Sequence, residues 1–251
     1  MGDFTLNLFN PNQLLRNINR FSHIVFFIGI TVLTIGFYFA LIVAPNDYQQ
    51  GAMVKIMYLH VPSAWLSLGI YSSIAVMSLV YLITKTPICA LISKSLAPIG
   101  IIFTSIVLIS GILWGRPMWG VWWVWDARLT SVLLLFFIYL GLILIYRMDG
   151  KRNSYFKIAS VYALLGFINI PIVKYSVDWW NTLHQPASVM RMDGPTIHYS
   201  MLYPLLFVFF GFCLISLYFL ILNINYNVVK KQHCYKKYTK LLCFFCNLFN
   251  F

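Results

Sequence analysis

The chain has 251 residues, of which 61% are hydrophobic and only 10% charged, against about a quarter charged in an ordinary soluble domain. That balance excludes a soluble globular fold and describes an integral membrane protein. A formal charge of +12 does not mark a nucleic-acid binder, because the basic residues stand at the ends of apolar runs and form no basic domain.

Residues 1–21 are polar and end near Arg16 and Arg20; Ser22 to Ala44 then forms a run long enough for the roughly 30 Å hydrocarbon layer. It is too long for the core of a cleaved signal peptide, so it reads as an uncleaved first span. Pro45-Asn46-Asp47 ends it. Further spans are expected at Val61–Thr84, with Pro62 in the first turn and His60 just outside, and at Leu91–Leu113 and Leu129–Tyr146. A shorter fifth runs from Ile158 to Val173 and a sixth from Met201 to Leu222. Residues 22–222 thus form one six-span domain, all-α, followed by a basic and apolar tail, 223–251, expected as an interfacial helix or a loose end. Cys243 and Cys246 have redox spacing but lack a βαβ setting, and no disulfide is expected.

An even number of spans puts both termini on one side. Arg16, Arg20, Lys85, Lys94, Arg147, Lys151, Arg152, Lys157 and the five tail lysines share that side, 13 of the 18 basic residues. The opposite side carries Lys55, Arg116, Arg128, Lys174 and Arg191 with four aspartates, a net charge of +1. The positive-inside rule therefore predicts N-in/C-in topology, with 114–128, His60 and His184 on the outer face.

The segment Trp114-Gly115-Arg116-Pro117-Met118-Trp119-Gly120-Val121-Trp122-Trp123-Val124-Trp125-Asp126-Ala127-Arg128 holds five of the eight tryptophans. Its charges suit neither hydrocarbon nor a polar connector, so it is expected at the membrane surface. If helical, it would carry Trp119, Trp122 and Trp123 on one face, with Trp125 and Asp126 turned partly away. Composition leaves two readings open: an aromatic belt that anchors the protein, or a shelf for an apolar ligand. All six acidic residues are aspartates with no close pair for acid–base work, and no G-x-x-x-x-G-K-[ST] loop occurs, so the chain is not expected to be an enzyme or an ATPase.

Residues 114–130 closely resemble the tryptophan-rich signature of the heme-handling membrane proteins of cytochrome c biogenesis. Tyr58-Leu59-His60-Val61-Pro62-Ser63-Ala64-Trp65 and Trp179-Trp180-Asn181-Thr182-Leu183-His184-Gln185-Pro186 resemble stretches of the cytochrome c maturation protein C family. The likeness extends from about Gln49 to Phe210. It implies heme b as cargo, with His60 and His184, each two residues before a proline, as axial ligands. It implies also a partner chaperone, cytochrome c maturation protein E, and an ABC-type complex of maturation proteins A, B and D. On the residues alone, a lone interfacial histidine is more often a satisfied polar group than a ligand.

Trp114, Trp119, Trp122, Trp123 and Trp125 are the expected heme platform, and Trp179 and Trp180 form either a second wall or a headgroup-level marker. Arg116 and Arg128 either meet heme propionates or pair with Asp126 to orient the loop. His198 is the rival ligand on the outer side; His23 and His233 fall on the inner. Three other functions compete. A b-type electron-transfer cytochrome normally carries its histidines within spans, and no central histidine is expected in any span here; a heme permease would need a polar path through the spans; a heme lyase sharing the signature would be much larger. Heavy use of Phe, Ile, Tyr, Asn and Lys fits an AT-rich gene, which favours a mitochondrial over a bacterial inner membrane.

Overall fold

The computed structural model describes the backbone of residues 11–148, 154–191 and 193–249, with side chains over 21–148, 155–191 and 193–229. Lys151 and Arg152, the side chains of Arg16, Arg20 and His233, and those of the tail's lysines and of Cys243 and Cys246 lie outside the described residues.

Over the described residues the protein is all-α, with six helical segments long and apolar enough to cross a membrane. The first helix, α1 (Pro11–Tyr38), passes into a π turn, Phe39–Val43, and stops at Ala44, where Pro45 follows. A short 3-10 turn, Ala52–Ile56, leads into α2 (Met57–Thr84). That helix begins four residues before the expected Val61, which places Pro62 in its second turn, where the proline's missing N–H leaves the Tyr58 carbonyl without its helical donor. It also puts His60 inside the span helix, not in an outer loop.

Lys85, in left-handed conformation, and Thr86 make a two-residue turn into α3 (Pro87–Trp119). At about 1.5 Å per residue α3 is about 50 Å long, so at least one end projects beyond the roughly 30 Å of hydrocarbon. Gly120, with φ +76°, caps it. Asp126 then begins α4 (Ala127–Arg147), accepting the Leu129 N–H at 2.8 Å.

The fifth span is not one helix. α5 (Ser154–Phe167) and α6 (Asn169–Trp179) are separated by a turn at Ile168. Pro171 explains the break: it has no N–H for the Phe167 carbonyl, and its ring would crowd that same carbonyl in a continuous helix. The last helix, α7 (Tyr199–Phe249), continues the helical backbone through the tail.

The core lies among α2, α3, α4 and α5, around Ile70, Tyr71, Ile74, Phe103, Leu135 and Tyr139. Lipid is as apolar as these side chains, so burial alone does not hold the helices together, and close approach and interhelical hydrogen bonds contribute more. Tyr139 donates to the Ser67 carbonyl at 2.7 Å, Tyr71 to that of Ala163 at 3.0 Å, and the Asn169 amide to that of Ser131 at 2.9 Å. Gly100 admits the Tyr139 ring, since a Cβ there would stand 2.2 Å from it. α1 and α7 pair with each other at the edge, where a Cβ on Gly36 would come 2.9 Å from the Val208 nitrogen.

The connections 44–56, 120–126 and 180–198 gather at one end: Trp114 donates to Gln50 Oε1 at 3.0 Å, and His60 faces His184. The 85–86 turn lies at the other end of α2, and Lys94 sits 5.6 Å from the Tyr155 ring.

Candidate functional site

At the end where those three connections gather is a cavity of about 230 Å³, lined among others by His60, Trp114, Trp119, Trp123, Arg128 and His184. These residues come from three separate stretches of sequence. α2 supplies His60, α3 and the turn after it supply the tryptophans, α4 supplies Arg128, and the long loop after α6 supplies His184.

His60 is the fourth residue of α2 and is buried. Its Nδ1 lies 2.9 Å from Ser110 Oγ on α3. The Ser110 hydroxyl is committed as a donor to the Ile106 carbonyl at 2.5 Å, so toward His60 it accepts. The imidazole proton is therefore on Nδ1, and Nε2 keeps a bare lone pair. His184 reaches the same state differently. Its Nδ1 lies 2.9 Å from the Gln185 carbonyl oxygen, which only accepts, so Nδ1–H donates and Nε2 is again bare. Burial, and after it the Arg128 charge, lower the His184 pKa below its ordinary value, keeping the ring in the neutral, metal-binding form.

The two rings stand 6.3 Å apart, centroid to centroid, and are inclined by 33°. A metal–nitrogen bond of about 2 Å and about 1 Å of ring on each side add to roughly the same distance. Among the described residues no cluster of three or more His, Cys, Asp or Glu side chains is placed to hold an ion.

The tryptophans divide into two groups. Trp114 meets the His60 ring edge-on at 5.7 Å, Trp119 lies 6.4 Å from His184, and Trp123 also lines the cavity. Trp122 and Trp125, 55% and 76% exposed, do not line it. The helical face expected to unite Trp119, Trp122 and Trp123 does not form, because Gly120 ends α3 and 120–126 are not helical. Trp179 and Trp180 are also exposed and outside the cavity, Trp179 stacking on Tyr175 at 5.5 Å.

Of the two arrangements open for the charged residues, propionate contacts or an Asp126–Arg128 pair, no Asp126–Arg128 ion pair forms among the described residues. Asp126 caps α4 through one oxygen, while its other oxygen is buried with no partner. Arg128 crosses to α6 and donates to the carbonyls of Val173 and Lys174 in the middle of that helix. Its placement in the cavity wall keeps a positive charge there. Arg116 donates to the Gly120 carbonyl and lies over the Trp122 ring at 5.6 Å, away from the cavity.

The loop 180–198 closes on itself. The Thr196 N–H and hydroxyl both donate to the Ser188 carbonyl, at 2.8 and 3.3 Å, and Gly194 turns with φ +86°. Ser188, Val189 and Met190 line the cavity beside His184. His198 is exposed, bonded to Ser200 Oγ at 2.8 Å, and is not part of the wall; His23 lies 6.3 Å from Tyr218, also apart from it. Ser110, Gln50 and Lys174 belong to the site or its surroundings and carry no motif. Only the cluster His60–Ser110–Gly111, assembled across 50 residues, reveals the first of them.

A family model described as heme exporter protein C matches residues 4–239, well beyond the stretch from Gln49 to Phe210 that the motifs cover. The chain is 48% identical over 210 residues to heme exporter protein C of Bradyrhizobium diazoefficiens, covering 84% of this chain and 80% of the relative. It is 49% identical over 186 residues to a putative cytochrome c biosynthesis ccmC-like mitochondrial protein of Marchantia polymorpha, covering 74% and 78%. To heme exporter protein C of Haemophilus influenzae it is 39% identical over 222 residues, covering 88% and 90%. With its six apolar helices and a match over nearly its whole length, the chain belongs to the heme exporter protein C family.

Proposed function

We propose that the protein binds heme b between His60 and His184 at the outer face of an energy-transducing membrane and presents it to a heme chaperone during cytochrome c maturation. The observation that carries this reading is the matched pair of neutral imidazoles, each with Nδ1 engaged and Nε2 bare, 6.3 Å apart across one aromatic cavity. Family membership supports the heme-handling role, since relatives are named for heme export and cytochrome c biosynthesis. Heme is here cargo, and no chemistry on it is required of the chain.

His60 and His184 are the axial ligands; Trp114, Trp119 and Trp123 supply apolar contact, and Arg128 offers the cavity's cation to a propionate. The volume of about 230 Å³ falls below the roughly 300–1,000 Å³ of sites that engulf a drug-sized molecule. A porphyrin held there keeps an edge outside, within reach of an acceptor. Trp122, Trp125, Trp179 and Trp180 then belong to the surface that the acceptor or the headgroup layer meets, with Arg116 and Asp126 holding the loop's shape.

The chaperone is of the cytochrome c maturation protein E kind, and ATP-driven steps come from a complex of maturation proteins A, B and D. Residues 1–21 and the tail 223–251 flank the 22–222 domain on the inner side. The relatives include both a bacterial exporter and a mitochondrial protein, and the residue usage favours the mitochondrial membrane. Cysteine labelling at Asp126 and Gln185 should occur from the outer compartment only; labelling from the inner side would reverse the orientation.

The test of the reading is the absorption spectrum of the purified protein with and without reductant. A sharp pair of visible bands on reduction, with a Soret band of six-coordinate low-spin iron, is expected; a spectrum of loosely associated heme refutes it. One observation keeps the electron-transfer reading in play: His60 sits within a span helix, where b-type cytochromes carry their ligands. Reduction of the bound heme by a quinol would favour that reading, and inertness toward quinol favours cargo.

A further inference from the structure

We propose that Ser110 is a positioning residue for His60: its hydroxyl holds the ring's Nδ1–H and leaves Nε2 as the only nitrogen free for iron. The inference rests on the proposed function and deepens it.

The hydrogen bonds run in one direction. His60 Nδ1–H donates to Ser110 Oγ at 2.9 Å, and Ser110 O–H donates to the Ile106 carbonyl at 2.5 Å. A carbonyl has no proton to return, so the chain ends there. The Val107 carbonyl is a second acceptor for the Ser110 hydroxyl, at 3.3 Å, and enforces the same direction. A serine on a helix commonly bonds back to the carbonyl four residues earlier and gains little from doing so. Here that bond has a use, because it turns the oxygen lone pairs toward another helix.

Ser110 is 3% exposed, so no water competes for the contact. The next residue, Gly111, brings bare backbone against the ring; a Cβ there would stand 3.3 Å from His60 Cε1. The imidazole is thus held by a hydrogen bond on one residue of α3 and by contact with the next. His184 and His198 differ, satisfying Nδ1 with Gln185 and Ser200, within two residues of themselves. Only His60, among these three, is oriented by a side chain from another helix.

An outer hydrogen bond of this kind fixes a ligand's tautomer and makes its ligating nitrogen more basic, and its loss typically costs about 10–100-fold in metal affinity. A more basic ligand favours ferric iron. The experiment uses the full-length protein in detergent, reconstituted with heme b. Its readouts are the rate of heme loss to apomyoglobin, the low-spin ferric signal and the midpoint potential.

Ser110→Ala should lose heme about tenfold faster, with a broadened low-spin signal and a raised potential, while Ser110→Thr, which keeps the hydroxyl, should match the wild type. Ser110→Cys, nearly isosteric with a much weaker acceptor, should resemble alanine and replaces it if alanine prevents accumulation. If Ser110→Ala keeps wild-type loss rate and potential while His60→Ala destroys the low-spin signal, the role of Ser110 is overturned and the heme-binding reading stands. If threonine behaves as badly as alanine, Ser110 acts through packing and the inference fails. If His60→Ala itself leaves the signal intact, it is the heme reading that falls.

Discussion

His60→Ala and His184→Ala should each abolish the six-coordinate low-spin spectrum of the heme-loaded protein and shift the Soret band. Heme affinity should fall by more than the roughly 10–100-fold expected of an outer hydrogen bond, because a direct iron–nitrogen bond is removed. Added imidazole should restore the spectrum in part, since it supplies the missing donor without the tether. His198→Ala should leave spectrum and affinity unchanged, being bonded to Ser200 and outside the cavity wall. Unaltered spectra in both alanine variants, or an equal loss in His198→Ala, would reject the pairing of His60 with His184.

The second large effect concerns the tryptophans, which the structure sorts into rings that line the cavity and rings that face outward. Trp119→Ala with Trp123→Ala removes two cavity contacts; at about 0.5–1.5 kcal/mol per aromatic contact this weakens heme retention by roughly 5- to 150-fold. Trp122→Ala with Trp125→Ala takes nothing from the cavity and should leave retention near wild type, yet slow transfer of heme to the purified chaperone. The measurement compares heme retained after gel filtration with heme delivered to the chaperone. Normal transfer by the outward-facing double variant would return Trp122 and Trp125 to the role of a membrane belt. Strong retention by the inward-facing variant would leave the histidines alone to hold the ligand.

The membrane architecture was legible because hydropathy integrates over some twenty residues, so errors of a few positions at each end do not alter the number of spans. Span ends were less legible. His60 was expected in a loop because Pro62 resembled a helix start, whereas α2 takes up four earlier residues and tolerates the proline in its second turn. The break at Ile168 was readable in principle from Pro171, which lies four residues after the Phe167 carbonyl it deprives of a donor. Asp126 before an apolar run was likewise a helix-cap signal, and reading it as an ion-pair partner for Arg128 overlooked that.

The site divides in the same way. His60 and His184 stand out because each lies in a distinctive local string, and local strings are what a sequence displays. The sorting of five tryptophans depends on one glycine at φ +76°, which converts an expected helical face into a turn and sends neighbouring rings in different directions. Ser110 was invisible for a different reason. It is one of many serines in apolar helices, and its meaning comes only from the ring that α2 places against it.

The two histidines are mounted unequally: His60 on a long helix and tied to a second, His184 on a loop that the Thr196–Ser188 crosslink ties to itself and that meets the bundle through Val189 and Ile197. On the proposed reading the loop is the easier of the two mounts to release. On that reading, moving His184 disturbs the loop and its packing, whereas moving His60 disturbs its contact with Ser110 on α3. Departure becomes an ordered event, with the loop imidazole first off and the helical one last, and an acceptor supplying its own ligand would enter from the side that His184 vacates. The dwell time should then respond to loop substitutions such as Thr196→Val as well as to loss of the His60–Ser110 contact.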